Sequence, residues 1–265
     1  MNNKYLSLGF IQIRLYSICI LIGILIAYLI IKKEALKKGL NEEEYNNIIF
    51  YGLIIGILGA RIYYIIFNLS YYLKYPIEII KVWHGGLAIH GGLIATLIFL
   101  MIYTKKKKIN LLLLLDTIVV GLIIAQAIGR WGNFFNKEAY GRLVSLNFLK
   151  NMHFPSFIIK EMYINGGYRE PTFLYESCLS IIGFIILIII RKTKKIHTGF
   201  LTGTYLIWYG TARLIIESFR SDSLMLGPLK VAQIISVIGI ISGIIIIIIS
   251  KKNNLYRKDN VYLTK

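Results

Sequence analysis

The feature that most limits what this chain can fold into is a series of apolar runs that each stop abruptly at lysine. The clearest is VAQIISVIGIISGIIIIIIS, residues 231–250, followed at once by Lys251 and Lys252. A helix needs about 20 apolar residues to cross the hydrocarbon of a bilayer. A run of this kind neither alternates nor leaves a polar face, so it fits neither a half-buried strand nor a surface helix. Comparable runs predict seven spans, at about 15–31, 48–66, 87–104, 110–129, 172–190, 199–217 and 231–250. The first is longer than a signal-peptide core and lacks a small-residue cleavage pattern, so it reads as a retained span. The expected fold is all-α: a polytopic membrane protein with seven transmembrane helices, forming one integral membrane domain over residues 1–265. A small extracytoplasmic head is expected at about 130–171.

Charge sets the expected orientation. The chain has 31 lysines and arginines against 13 acidic residues, a net charge of +18. In a soluble protein that excess would suggest nucleic acid. Here the cations follow apolar runs: Lys32, Lys33, Lys37 and Lys38; Lys105 to Lys108; Arg191, Lys192, Lys194 and Lys195; Lys251 and Lys252. This is the positive-inside pattern of cytoplasmic loops, and nucleic acid is not an expected partner. Odd-numbered spans end in these clusters, which puts the N-terminus outside and the C-terminus in the cytoplasm. The opposite face then receives the other polar residues, and function is expected at the outer leaflet. The two cysteines, Cys19 and Cys178, lie in apolar runs without metal-ligand or redox spacing.

The stretch GRWGNFFNKEAYGR, residues 129–142, sets Arg130, Asn133, Asn136 and Glu138 among Gly129, Gly132 and Gly141. Arginine holds phosphate bidentately at any biological pH. Asparagine supplies uncharged donors and acceptors, and glycine lets backbone approach a ligand. The set suits a phosphodiester headgroup, with Glu138 orienting an arginine or moving a proton. A second set, Tyr205, Tyr209, Arg213 and Glu217, repeats every four residues and so shares a helix face, with Arg220 following. It reads either as a structural ion pair or as a cavity-facing site. Intramembrane charges cost about 2.5–3.5 kcal/mol each on insertion scales, which favours the cavity. His90, in WHGGLAIHGG, is a candidate proton acceptor. His84, His90 and Glu138 lack zinc spacing, and no metal is expected. Arg61 either neutralises Asp116, Glu176 or Glu217 or joins the phosphate site. Asp116 reads as structural, Tyr16 as an interfacial anchor, and Glu176 only as part of a helix start after Pro171.

Gly129 to Gly141 resembles the signature of the bacterial prolipoprotein diacylglyceryl transferases: Gly-Arg, any residue, Gly-Asn-Phe, an apolar residue, Asn, any residue, Glu, two residues, Gly. His90-Gly91-Gly92 is similar to that family's histidine-glycine motif, and YGTARLIIESFR, residues 209–220, to its Tyr-Gly-x-x-Arg…Glu-x-x-Arg segment. IRLYS around Tyr16 resembles its N-terminal Arg-x-Tyr-Gly, with Ser17 for glycine. Glu170 and Phe173 depart from its usual His-Pro-Thr-Gln-Leu-Tyr-Glu. The resemblance implies transfer of a diacylglyceryl group from phosphatidylglycerol to the lipobox cysteine of a preprolipoprotein in the bacterial cell membrane. The signal peptides of preprolipoproteins would be its partners, with no cofactor. It further implies that Arg130 and Arg213 handle the phosphate and that His90 assists the thiol. Glu138 and Glu217 would orient the arginines, while Asn133, Asn136, Tyr209, Tyr16, Gly91 and Gly141 line the pocket. Two other classes stand against it. A transporter would use Arg61, Asp116, Arg213 and Glu217 as an ion path, whereas a lipid-binding scaffold would have no turnover.

Overall fold

The computed structural model describes residues 5–8, 11–192 and 196–252. Lys194 and Lys195 of the third basic cluster lie outside this set. The protein is mostly helical. After a hairpin of β1 (Tyr5–Leu8) and β2 (Ile11–Arg14) come α1 (Leu15–Lys37), α2 (Glu42–Phe67), the short α3 (Leu69–Lys74) and α4 (Ile89–Lys107). Then follow α5 (Leu111–Asn136), β3 (Leu143–Val144), α6 (Leu146–Asn151), α7 (Ser156–Glu161), β4 (Tyr163–Ile164) and β5 (Gly167–Arg169). The chain continues with α8 (Thr172–Lys192), α9 (Phe200–Phe219), β6 (Met225–Leu226), β7 (Leu229–Lys230) and α10 (Val231–Lys252). Five of the helices, α1, α2, α5, α8 and α10, are long and apolar enough to cross a membrane. The other two long helices carry more polar sequence: three lysines in the last turn of α4, and tyrosines, an arginine and a glutamate along α9.

Three helix ends lie six or more residues from expectation, the first being that of α1, which runs to Lys37 rather than 31. Helix α2 starts at Glu42 rather than near 48, because Asn41 caps it: its side chain accepts from the Glu43 N–H at 3.1 Å. Glu42, Glu43 and Glu44 then face the positive end of the helix dipole. Helix α5 runs two turns beyond the expected end at 129, through Asn136. The polar signature is therefore largely helical, and its spacing of three and four places Arg130, Asn133 and Asn136 on related faces. The segment after it folds into a small antiparallel sheet, ordered β3-β5-β4, with α6 and α7. Asn165 and Gly166, with φ of 52° and 81°, make the two-residue turn between β4 and β5. An Asn-Gly pair with both φ positive is the favoured tight hairpin turn. Phe134, Ile158, Met162, Ile164 and Phe173 form a core beneath this sheet.

The described residues divide into two compact units, one built from the chain up to residue 31 together with residues 115–252, the other from residues 32–114. In the first, α9 packs on α8 and α10. Gly203 and Gly243 let α9 and α10 touch through backbone, since a Cβ on either would lie 2.7 Å from the other's carbonyl oxygen. Such small-residue contacts suit helices in lipid, where apolar burial gives no drive to associate. Val119, Val120, Ile123, Leu187, Leu201 and Tyr205 are buried in its core. In the second unit, α2 and α4 pair closely. A Cβ on Gly91 would lie 2.2 Å from Cβ of Tyr63 and 2.5 Å from the Gly59 carbonyl oxygen.

Candidate active site

In the first unit, arginines from two helices meet on one carboxylate. Arg130 of α5 reaches Glu176 of α8 through Nε, 2.6 Å from Oε2. Arg213 of α9 reaches the same carboxylate through Nη1, 2.5 Å from Oε1. Nη2 of Arg213 turns to Glu217, one turn further along α9, at 2.7 Å. Arg220 stands 3.9 Å from Glu217 and 3.0 Å from Asp222. The carboxylates are the more buried partners: Glu176 and Glu217 are 6% and 2% exposed in their side chains, Arg213 is 14% and Arg130 20% exposed. Charges so far from water persist only when paired. The sequence places Arg213 and Glu217 on one face of α9, and the structure shows the pair. Glu176, read from the sequence as part of a helix start and as one possible partner of Arg61, is the carboxylate that joins the two arginines.

Around this cluster the neighbours are fixed by close packing. Arg130 Nη1 donates to Asn133 Oδ1 at 3.3 Å. Gly132 lies against Tyr16, where a Cβ would be 2.9 Å from the ring. Tyr16 and Tyr209 both lie within electrostatic reach of Arg130, and Tyr16 within that of Glu138. Below Tyr209, the ring of Tyr205 stacks at 5.8 Å and 9°, and its hydroxyl accepts from Gln126 Nε2 at 2.8 Å. The Gln126 carbonyl oxygen is buried without a hydrogen-bond partner among the described residues. An unmet group of that kind costs about 1–3 kcal/mol.

The segment after α5 is tied back onto α9. Gly141 bridges to Arg220, and its N–H donates to the Glu170 carbonyl at 2.9 Å. A Cβ there would lie 2.8 Å from Cβ of Glu170, so Gly141 is needed for the chain crossing itself. The Ala139 N–H donates to Asp222 at 2.9 Å, and Thr172 Oγ1 donates to the Ala139 carbonyl at 2.6 Å. Lys230 Nζ donates to the carbonyls of Glu217 and Arg220 at 2.5 and 2.9 Å, closing the end of α9. Glu138 is exposed and accepts from Asn136 at 3.4 Å. The carboxylates that touch arginines in this cluster are Glu176, Glu217 and Asp222. The two residues that depart from the family pattern have structural partners: Glu170 pairs with Arg142 at 3.0 Å, and Phe173 fills the small core.

His90 and Gly91 belong to the second unit, in the first turn of α4, where His90 is half-buried. Arg61 is in the same unit, and its hydrogen bonds there go to backbone. It is buried and donates to backbone carbonyls: Nε to Ile79 at 3.0 Å, Nη1 to Gly85 and Gly86 at 2.6 and 2.9 Å, Nη2 to Glu78 at 2.5 Å. It thereby anchors the loop between α3 and α4 to α2. Gly86 has φ of 73°, and a Cβ there would lie 2.6 Å from Arg61 Nη1. On that loop Lys81 and then His84 hydrogen-bond Glu78, holding its carboxyl below the usual carboxylate range. Asp116, in the first unit, accepts from the N–H groups of Gly199 and Thr202 at 2.8 Å and from the Thr202 hydroxyl at 2.6 Å, capping α9 from another helix. Among the described residues no group of three or more His, Cys, Asp or Glu is placed to hold a metal.

Known proteins match nearly the whole chain. The profile of the family described as Prolipoprotein diacylglyceryl transferase matches residues 3–249. A protein of Staphylococcus saprophyticus named phosphatidylglycerol–prolipoprotein diacylglyceryl transferase is 46% identical over 246 residues, covering 92% of this chain and 88% of its own. Proteins of the same name are similar in Streptococcus agalactiae, 46% identical over 253 residues (95% of this chain, 96% of the relative), and in Staphylococcus aureus, 47% over 243 residues (91% and 86%). With the signature residues 129–141 in place and these relatives matching over most of their length, the chain belongs to the prolipoprotein diacylglyceryl transferase family.

Proposed function

We propose that this protein transfers the diacylglyceryl group of phosphatidylglycerol to the cysteine thiol of preprolipoprotein signal peptides, in the cell membrane and on its outer leaflet. The observation that carries the reading is the meeting of Arg130 and Arg213, from separate helices, on Glu176. A guanidinium has five N–H donors, and the contacts named above engage only some of them. Donors on both arginines remain for the lipid phosphate. The thiolate sulfur attacks the glycerol carbon that bears the phosphate oxygen. A sulfur–carbon bond forms, the carbon–oxygen bond breaks, and its electron pair leaves on glycerol phosphate. Charge then gathers on the departing phosphate, where two preorganised arginines stabilise it most. The thiol proton passes to His90, since a free thiol is mostly protonated at neutral pH.

Within this reading Glu217 and Glu176 aim the arginines, and Glu138 acts at the exposed rim. Asn133, Asn136, Tyr16 and Tyr209 surround the headgroup. Gly141 and Gly91 give the close packing that the site and α4 need. The helices α4 and α9 cross with the five apolar ones, giving seven spans, an outside N-terminus and a cytoplasmic C-terminus. The segment after α5 forms an external head. The test is lipidation of a cysteine-containing signal peptide by purified protein in phosphatidylglycerol micelles. Product should form with phosphatidylglycerol but not with a serine-substituted peptide, and Arg130→Lys should abolish it because an ammonium makes no bidentate contact. Near-normal turnover by that variant would remove the phosphate role.

A further inference from the structure

Tyr205 and Gln126, deeper than Arg130, have no role in the steps just described. From Thr117 to Arg130, helix α5 reads TIVVGLIIAQAIGR, and Gln126 is its sole amide side chain. It lies four residues before Arg130, about one helical turn or 6 Å deeper along the helix. Its amide is bonded on one side to Tyr205, which is buried and stacked on Tyr209, which in turn lies beside Arg130. The other side of the amide, its carbonyl oxygen, is shielded and has no hydrogen-bond partner among the described residues. A residue present only to hold Tyr205 would have no use for that second polar group, which is costly once shielded from water.

The Tyr205 hydroxyl can accept a hydrogen bond or donate one. If it donates to Gln126 Oε1, the amide turns over and its NH2 becomes the free group. Below its phosphate, phosphatidylglycerol offers acceptors alone: the oxygens of two esters, one on the glycerol carbon next to the reacting one and one on the carbon beyond it. They hang about one helical turn beneath a phosphate held by Arg130. We propose that Gln126, turned and backed by Tyr205, is an ester-recognition subsite that donates to an acyl carbonyl of the lipid. This rests on phosphatidylglycerol being the substrate. The bond that breaks then lies between two grips, phosphate above and ester below, which fixes the reacting carbon against the incoming thiolate. The subsite also makes the enzyme selective for acyl over alkyl glycerolipids.

The test compares diester phosphatidylglycerol with its dialkyl ether analogue of the same chain length, which lacks both carbonyls. The readout is the ratio of kcat/KM for the two lipids with one signal peptide, in wild type and in Gln126→Leu. Wild type should favour the ester by about tenfold, the worth of one good hydrogen bond. The variant's ratio should fall close to one. A variant ratio equal to the wild-type ratio, whatever its absolute rate, would show a purely structural Gln126 and overturn the proposal. So would a wild-type ratio near one. If Gln126→Leu does not accumulate, Gln126→Met is read the same way. Failure of the substrate reading itself is separately visible, because wild type would then give no product with the diester lipid.

Discussion

Replacing Glu176 by glutamine should loosen the protein and at the same time make it more responsive to anionic lipid. The glutamate accepts from two arginines at 2.6 and 2.5 Å with 6% of its side chain exposed. Removing one partner from a buried ion pair costs about 3–5 kcal/mol. The lower end applies here. Arg213 keeps Glu217, Arg130 keeps Asn133 and has some contact with solvent, and the glutamine carbonyl still accepts one bond. A loss of about 3 kcal/mol corresponds to a fall in Tm of roughly 6–12 °C for a chain of this size. The site is then left one positive charge in excess, which a bound phosphate neutralises. Phosphatidylglycerol should therefore raise the Tm of Glu176→Gln more than that of wild type. Turnover should drop, because Arg130 has lost the group that aims it. Thermal unfolding in neutral detergent, with and without phosphatidylglycerol, measures both effects. A Tm within 2 °C of wild type (about 1 kcal/mol or less), or equal lipid stabilisation of both proteins, would refute the reasoning.

Other residues give independent checks. Asp116→Asn weakens three hydrogen bonds at the start of α9 and should cost about 2 kcal/mol without changing the KM for lipid; a large KM change would place Asp116 in the site. Arg61→Gln leaves the carbonyls of residues 78–86 without their donors and should destabilise that loop by about 3 kcal/mol or more, seen as faster amide exchange there; unchanged exchange would show that the cage is not needed. Glu78 has a lowered pKa, so its contribution is present above the ordinary carboxylate range and is lost as pH falls through its folded value. Amide protection of residues 78–85 should hold from neutral pH down through that range and decline only below it, and Glu78→Gln should remove the acid step.

Five apolar helices were legible because lipid imposes a composition, and the Arg213–Glu217 pair because a four-residue spacing is a local property of a helix. Helix ends were less so. Hydropathy stops at Glu44 and at Arg130, yet the backbone stays helical wherever a cap or a partner satisfies the polar groups, as Asn41 does for α2. Glu176 was missed because its partners lie 46 and 37 residues away in sequence. Its signal was present all the same: a carboxylate one turn inside an apolar run needs a cation, and unassigned arginines were available. Arg61 could not be placed, since backbone carbonyls leave no trace in the side-chain pattern. The small sheet has strands of two or three residues, too short for periodicity, although Asn165-Gly166 marks its hairpin.

Stabilisation of the departing phosphate by Arg130 and Arg213 is read from the released product. Purified protein given phosphatidylglycerol labelled in its headgroup glycerol, with a cysteine-containing signal peptide, should release one glycerol phosphate for each thioether formed. Arg130→Ala and Arg213→Ala should each reduce both products together by at least about a hundredfold, as loss of one preorganised charge-stabilising group does. Thioether formation by either variant at close to the wild-type rate, or release of glycerol phosphate without thioether in wild type, would contradict it.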